Sequence, residues 1–309
     1  MSSSEPLLVI THSGAGADDD EQLQAGLSVL RAATSVEVAT TGDPGELDGV
    51  LHRAGSRRIV VAGGDGSMHA VVAALHRRRE LGRNVLALLP VGTGNDFARA
   101  CDLPLDAAEA AQVILDGEPA PRDLLVDELG EVVVNHVHVG AGAAAARRSS
   151  RWKGRLRPVG VGKANLGKLA YPIGAAITAW NPPVVRLRVE VDGRCVVDFD
   201  TPVLQVAIGN GSSVGGGLEL TPDADPGDRL ADVMISRATG PVARLAYAAR
   251  LAAGRHTDDD QVDSLRATQV TISGEQFWVS ADGETYGPER HRSWHLEPAA
   301  YRMVLPTTR

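Results

Sequence analysis

The segment from Ile59 to Ser67 reads IVVAGGDGS, and the segment from Val85 to Arg99 reads VLALLPVGTGNDFAR. In each, an apolar run typical of a buried strand leads into a glycine-rich turn and then into a helical pattern. Neighbouring parallel strands end at one edge of a sheet, so we expect the two turns to lie side by side. The sequence therefore predicts a parallel α/β sheet with a ligand site at that edge.

The first turn, Gly63-Gly64-Asp65-Gly66-Ser67, has the composition of a phosphate cradle. Glycines let the backbone approach a ligand closely, and the start of the following helix presents free N–H groups to an anion. A carboxylate beside phosphates would repel them unless a cation lies between, so we expect Asp65 to act through Mg²⁺. We expect the second turn, Gly92-Thr93-Gly94-Asn95, to contact the same nucleotide.

The pattern of the chain changes near residue 123. Before it, apolar strands alternate with helices, which predicts a parallel sheet covered on both faces. After it, strands separated by turns predict a mostly antiparallel β domain, with a hairpin at Asp192-Gly193. The predicted helices are 18–31, 67–79, 95–101, about 165–180 and 241–253, and the predicted strands after residue 123 are 131–139, 184–191, 195–199, 203–208, 231–236, 268–273 and 277–280.

Composition restricts the classes of function. The chain of 309 residues has a formal net charge of −8, which argues against nucleic-acid binding. Cys101 and Cys195 have neither disulfide nor zinc spacing, the N-terminus lacks the pattern of a signal peptide, and no apolar run is long enough to span a membrane. We therefore expect a cytoplasmic protein. Its oligomeric state stays open, with a homodimer as one alternative.

Positive charge is concentrated in one interval. No Asp or Glu occurs between Glu131 and Glu190, whereas ten Lys and Arg residues do. Six of them lie in Arg147–Arg157, a segment that also contains Trp152. Such a segment is typical of peripheral contact with an anionic membrane, here the inner surface, although a solvated basic loop has the same composition. We interpret His136 and His138, on one face of a strand, as strand-lining residues rather than metal ligands.

With GGDGS followed by LPVGTGNDFAR, the sequence resembles the diacylglycerol kinase catalytic-domain superfamily, which includes bacterial diacylglycerol kinases and sphingosine kinases. The agreement continues through Arg122-Asp123-Leu124, Gly209-Asn210-Gly211, Thr221–Asp225 and Asp282-Gly283-Glu284. The resemblance implies an N-terminal three-layer α/β nucleotide-binding domain and a C-terminal β-rich sandwich domain. The first would span 1–123 plus a returning C-terminal segment at about 297–309, and the second 124–296.

The resemblance also implies roles for single residues. Gly64, Asp65, Gly66 and Ser67 would hold ATP phosphates, Asp96 and Asp123 would support a Mg²⁺–phosphate network, and Glu284 would be the general base. Without the family, Asp282-Gly283-Glu284 is a hairpin turn with a solvated acid.

Three positions depart from the family pattern. Asp228 matches the ligand of a structural Mg²⁺, but Arg229 replaces the glycine that usually follows it. Thr11-His12 replaces Asn-Pro after the first strand, so the Thr11 hydroxyl is expected to make the nucleotide contact. His69-Ala70 replaces Asn-Glu after the phosphate turn.

The expected function is transfer of the γ-phosphate of MgATP to a lipid at a membrane surface, with diacylglycerol as the expected acceptor. A kinase of another lipid, a kinase of a soluble substrate such as NAD, and a nucleotide-binding protein that has lost catalysis are the alternatives. The GGDG turn fits each of them, whereas LPVGTGNDFAR favours a lipid kinase.

Overall fold

The computed structural model describes residues 6–13, 17–147 and 184–307. The first part of the chain forms parallel strands in the order β4-β3-β1-β2. These strands are β1 (Leu7–His12), β2 (Val36–Thr41), β3 (Ile59–Gly63) and β4 (Val85–Pro90). The helices are α1 (Ala17–Ala33), α2 (Pro44–His52), α3 (Asp65–Arg77), α4 (Asp96–Ala100) and α5 (Ala107–Asp116).

Alternation along the buried strands builds three layers. Leu8 and Ile10 of β1 point to a core shared with α2 and α3, whereas Leu7 and Val9 point to a core shared with α1 and α5. Both faces of the sheet are therefore buried, as expected of parallel strands. The predicted fold class is confirmed.

The second part of the chain is rich in antiparallel strands, with helical residues at 141–147, helix α6 (Pro241–Ala252) and a 3₁₀ turn (His256–Asp258). The strands are β5 (Glu118–Asp127), β6 (Val132–Val133), β7 (His136–Gly140), β8 (Val185–Val191), β9 (Arg194–Val197), β10 (Pro202–Val203), β11 (Gln205–Gly209), β12 (Ser213–Val214), β13 (Leu218–Glu219), β14 (Ala231–Ser236), β15 (Val262–Ala267), β16 (Gln269–Ala281) and β17 (Glu284–Leu305). A separate core, with Phe277 and Trp294 among its members, fills this part.

Several strand boundaries differ from the predicted ones. The predicted strands 268–273 and 277–280 form one strand, β16, whose register shifts between Ser273 and Phe277. The predicted strand 131–139 is interrupted at residues 134–135, where the backbone turns between β6 and β7. The hairpin turn is confirmed, because Asp192 (φ 47°) and Gly193 (φ 76°) both adopt left-handed conformations between β8 and β9.

The two parts share one continuous sheet. Strand β17 pairs with β16 and β5, and Arg302 and Met303 near its end pair in parallel with Val85 and Leu86 of β4. The end of the chain therefore returns to the N-terminal sheet. The domain boundary predicted at residue 123 lies inside β5, and β5 remains paired with β17 on both sides of that position.

Within the described residues, no helix combines the length and the apolar character that crossing a membrane requires.

Candidate active site

The two glycine-rich turns meet backbone to backbone. A Cβ placed on Gly92 would lie 2.5 Å from Gly64 Cα and 2.8 Å from Gly64 N, distances that real side chains do not reach. Position 92 must therefore remain glycine for the strand ends of β3 and β4 to approach this closely, and a Cβ on Gly64 would lie a tight 3.2 Å from Gly92 Cα. Gly64 is the N-cap of α3 and has no side chain to cap that helix start. The predicted pairing of the turns is present in the fold.

Asp65 joins the two turns. Its Oδ1 accepts a hydrogen bond of 2.8 Å from the Phe97 N–H at the start of α4. Burial raises the pKa of the Asp65 carboxyl, the Phe97 N–H opposes that rise, and the nearby charge of Asp96 adds to it. A cation bound beside Asp65 would favour its ionised form, and the action of Asp65 through Mg²⁺ stays a prediction.

Asn95 has a buried polar atom that faces the same junction. It adopts a left-handed backbone (φ 55°), and its Nδ2 donates to the Gly92 carbonyl at 2.7 Å. Its Oδ1 is buried without a hydrogen-bond partner, which is costly unless a ligand or water supplies one. Thr93 and Gly66 are exposed to solvent, whereas the half-buried Ser67 packs over Gly63, where an added Cβ would lie 2.3 Å from the Ser67 Oγ.

Thr11 lies on the strand beside the phosphate turn. It pairs in register with Ala62, the residue before Gly63, and its backbone carbonyl accepts a hydrogen bond of 3.4 Å from the Thr41 hydroxyl. The Thr11 side chain is thus at the expected edge of the sheet, and its contact with a nucleotide stays a prediction.

Asp96 contacts the second half of the chain. Its buried carboxylate accepts hydrogen bonds from the Gly216 N–H at 2.9 Å and the Gly217 N–H at 2.8 Å. Both glycines have positive φ angles, so they can turn their N–H groups toward one carboxylate. Asp96 therefore fixes a glycine loop of the β-rich part against the second turn.

Asp123 is fully engaged with the backbone. Its Oδ2 accepts from the Arg229 N–H and its Oδ1 from the Ala299 N–H, each at 2.7 Å. Ala299 lies where the register between β5 and β17 shifts, so the carboxylate fills that irregularity. The structure thus places Asp123 in the packing between strands, and its part in a Mg²⁺–phosphate network stays a prediction.

Glu284 begins β17 directly after a tight turn. Asp282 (φ 45°) and Gly283 (φ 87°) are both left-handed, which confirms the hairpin turn, and the Glu284 side chain is exposed. Asp282 points inward and contacts the Nδ1 atom of His69 on α3 at 2.9 Å. That contact, between residues 213 positions apart, is one that the sequence did not reveal.

Asp228 already has a cationic partner. The guanidinium of Arg266 in β15 forms an ion pair with the Asp228 carboxylate, and it lies 3.7 Å from Asp232 Oδ2. Arg229 has a φ of 68°, so it does occupy a left-handed position that glycine would adopt without strain. The metal predicted at Asp228 stays a prediction, and Arg266 is a second residue that sequence reasoning missed.

The paired histidines belong to the interior. His136 and His138 are buried in β7, their rings stack with centroids 5.6 Å apart, and the His136 Nε2 lies 2.9 Å from the Thr221 hydroxyl. Burial lowers the pKa of His138 to about 4. Across residues 6–13, 17–147 and 184–307, no group of three or more His, Cys, Asp or Glu side chains could hold a metal ion.

The basic segment Arg147–Arg157 lies outside the described residues except for its first member. The Arg147 guanidinium stacks over the ring of Trp278 in β16, 3.5 Å from the ring centroid.

Comparison with known proteins agrees with this architecture. Residues 6–126 match the diacylglycerol kinase catalytic domain, and residues 135–305 match the YegS C-terminal NAD kinase beta sandwich-like domain. A Pseudomonas aeruginosa protein named probable lipid kinase YegS-like is 30% identical, over 99% of this chain and 96% of its own. The diacylglycerol kinase of Bacillus subtilis is 28% identical, over 74% of this chain and 71% of its own.

Solved structures show the same fold. The crystal structure of a diacylglycerol kinase from Bacillus anthracis superposes with a TM-score of 0.76 at 23% identity, and the match covers 97% of each chain.

Proposed function

Because the chain belongs to the lipid kinase family in which a diacylglycerol kinase catalytic domain precedes a YegS-type β-sandwich domain, we propose that it transfers the γ-phosphate of ATP to the hydroxyl of diacylglycerol. The observation that carries this proposal is the junction of the two glycine turns, with Asp65 between them and the Glu284 turn joined to α3. Phosphoryl transfer requires little more than positioned reactants and charge stabilisation, which such a junction can supply.

The residues at the junction fit ATP with a bound Mg²⁺. Gly64 and Gly92 approach closely, the start of α3 at Gly64 has no side-chain cap, and Asn95 Oδ1 is a buried acceptor without a partner. Mg²⁺ in kinase sites is held by one or two carboxylates together with substrate phosphates, so Asp65 alone could suffice on the protein side. Bound there, the ion would neutralise charge on the transferred phosphate.

Glu284 is proposed to accept the proton of the lipid hydroxyl. The hydroxyl oxygen forms the new bond to the γ-phosphorus while the bond to the β,γ-bridging oxygen breaks, and ADP leaves as phosphatidic acid forms. An exposed carboxylate at the start of β17 can meet a hydroxyl that arrives from solvent or from a membrane surface. We further propose that the basic segment Arg147–Arg157 brings the enzyme to that surface.

A panel of acceptors tests the proposal. The purified protein is incubated with γ-labelled ATP, Mg²⁺ and, separately, diacylglycerol, sphingosine, ceramide, phosphatidylglycerol or NAD, and the products are separated by thin-layer chromatography. We expect label in phosphatidic acid. Label on another lipid would change the acceptor, label on NAD alone would establish the soluble-substrate alternative, and ATP binding without transfer to any acceptor would indicate lost catalysis.

A further inference from the structure

One hydrogen bond joins the phosphate-turn helix to the turn that carries Glu284. His69 lies in the first turns of α3, four residues after Asp65, and its Nδ1 is 2.9 Å from Asp282 Oδ2. Because an ionised carboxylate only accepts, the hydrogen must lie on Nδ1. The Asp282 side chain is 3% exposed and that of His69 is 21% exposed, so the bond is largely shielded from water.

The Asp282 carboxylate is held rigidly on its other sides. It accepts from the backbone N–H groups of Val134 at 2.6 Å, Asn135 at 2.9 Å and His136 at 3.0 Å. The Asp282 N–H in turn donates to the His136 carbonyl at 3.0 Å. The turn is thus fixed within the β-rich part, and His69 adds a bond from the nucleotide part of the molecule.

We propose that His69 is a positioning residue, which fixes the Asp282-Gly283-Glu284 turn against α3 so that Glu284 faces the phosphate turn at a set distance. Glu284 is only two residues from Asp282, so a shift of that carboxylate displaces it directly. The inference rests on the proposed function, because it assigns His69 to the same reaction. A misplacement of about 1 Å can lower a rate by about 100-fold, which makes such a bond worth testing.

The charges around His69 favour this role. Burial alone would lower the pKa of the imidazole, but the hydrogen bond and charge of Asp282, together with the charges of Glu284 and Glu131, raise the pKa above its usual value. His69 therefore binds a proton more readily than a free histidine. A protonated ring makes a stronger, charge-assisted bond to Asp282.

A matched pair of histidines on one helix provides the kinetic test. His76 lies on α3 with the same side-chain exposure, 21%, and is 3.4 Å from the exposed Glu297. We expect His69→Ala to lower kcat by roughly 10- to 100-fold with KM for ATP changed by less than about threefold. His69→Asn, whose amide can still donate to Asp282, should recover kcat to within about fivefold of wild type. His76→Ala should leave both constants unchanged.

A spectroscopic measurement tests the pair without catalysis. In NMR titrations of the imidazole signals, His69 should titrate at higher pH than free histidine, and Asp282→Asn should shift that titration to lower pH. No shift, or an unchanged kcat in an active His69→Ala enzyme, would overturn the positioning role. A wild-type protein that phosphorylates no acceptor would instead overturn the proposed function, and the NMR result would then show whether the pair itself exists.

Discussion

Two carboxylates with different surroundings carry the proposed chemistry. Asp65 is held between the glycine turns by the Phe97 N–H, whereas Glu284 is exposed at the start of β17. A group that accepts a proton from a substrate needs access to it, and a group that holds a cation needs a fixed position. The surroundings therefore agree with the separate roles proposed for the two residues.

Replacement of Glu284 by Gln tests the general base. The amide keeps the shape of the side chain but cannot accept the proton, so kcat should fall by roughly 10²- to 10⁴-fold while ATP affinity stays nearly constant. Steady-state kinetics and calorimetric ATP titration measure the two effects. Glu275→Gln, an exposed acid on the same hairpin, is the control. A loss confined to ATP affinity would make Glu284 a binding residue.

For single residues, the sequence predicted which residues belong to the candidate site better than it predicted their hydrogen-bond partners. The glycines, Asp65 and the Asp282-Gly283 turn were identified because local spacing is enough to recognise a turn. The bonds from His69 to Asp282 and from Asp123 to Ala299 join residues far apart in sequence. No periodicity links such residues, so their contacts depend on the tertiary fold.

Among the elements, β7 is unusual because it carries two buried histidines, His136 and His138, whose rings stack on each other. Burial lowers the pKa of His138 from 6.5 to about 4. Between these pH values the unfolded chain binds a proton at this histidine that the folded protein does not bind. Stability should therefore fall as the pH drops from about 6.5 to about 4, on the order of 3 kcal/mol from His138. Asp232 opposes this trend, because burial raises its pKa to about 6.

The contribution of His138 is separated by comparing variants. Urea unfolding at several pH values should show a smaller loss of stability between pH 6.5 and 4 in His138→Gln than in wild type. The exposed His52→Gln serves as the control and should keep the wild-type slope. Identical slopes in all three proteins would mean that burial does not lower the pKa of His138.

The next prediction concerns Asp228, in the loop before β14, and asks whether the charge of Arg266 replaces the charge of the predicted metal ion. Arg266 pairs with Asp228, so Mg²⁺ should not change the unfolding temperature of wild type in the absence of nucleotide. In Arg266→Ala the uncompensated Asp228 should bind Mg²⁺ weakly, and the ion should then raise the unfolding temperature. Arg194→Ala, at the exposed first residue of β9, is the control. Stabilisation of wild type by Mg²⁺ that is lost in Asp228→Ala would support the metal site instead.

The sequence predicted four of the described helices closely, did not predict α2 and α5, and divided the long strands. The helix predicted near 165–180 lies outside the described residues. Helices α1, α3, α4 and α6 were predicted within two residues of their ends, because an apolar stripe at helical spacing is a local signal. Strand β5 contains Pro119 and Pro121, and β17 contains Pro288 and Pro298, which resemble strand ends in a sequence. The pairing of β5 with β17 along most of β5, and of the first part of β17 with β16, overrides that local signal.

At the scale of the whole molecule, charge is unevenly distributed. The chain carries a net charge of −8, yet the interval from Glu131 to Glu190 contains ten Lys and Arg and no internal acid. A protein with this net charge would be repelled by an anionic leaflet unless a basic region faces it. Arg147, at the start of the basic segment, stacks on Trp278 of β16, so the segment begins at a fixed point of the fold.

We therefore expect reversal of Arg151, Lys153 and Arg155 to Glu to reduce binding to vesicles rich in phosphatidylserine, and to reduce activity on diacylglycerol in those vesicles. Each basic side chain near such a surface contributes about 1 kcal/mol to binding. Raising the salt to 0.1 M shortens the screening length to about 10 Å, so wild-type binding to the vesicles should weaken as salt is added. Activity on a short-chain soluble diacylglycerol should be retained. Reversal of the exposed Arg31, Arg53 and Arg290 changes the net charge equally and should leave vesicle binding largely intact. Equal loss on vesicles and on the soluble lipid would place the three residues in the fold or in the active site, because activity on a dissolved substrate does not require electrostatic attraction of the enzyme to a membrane surface.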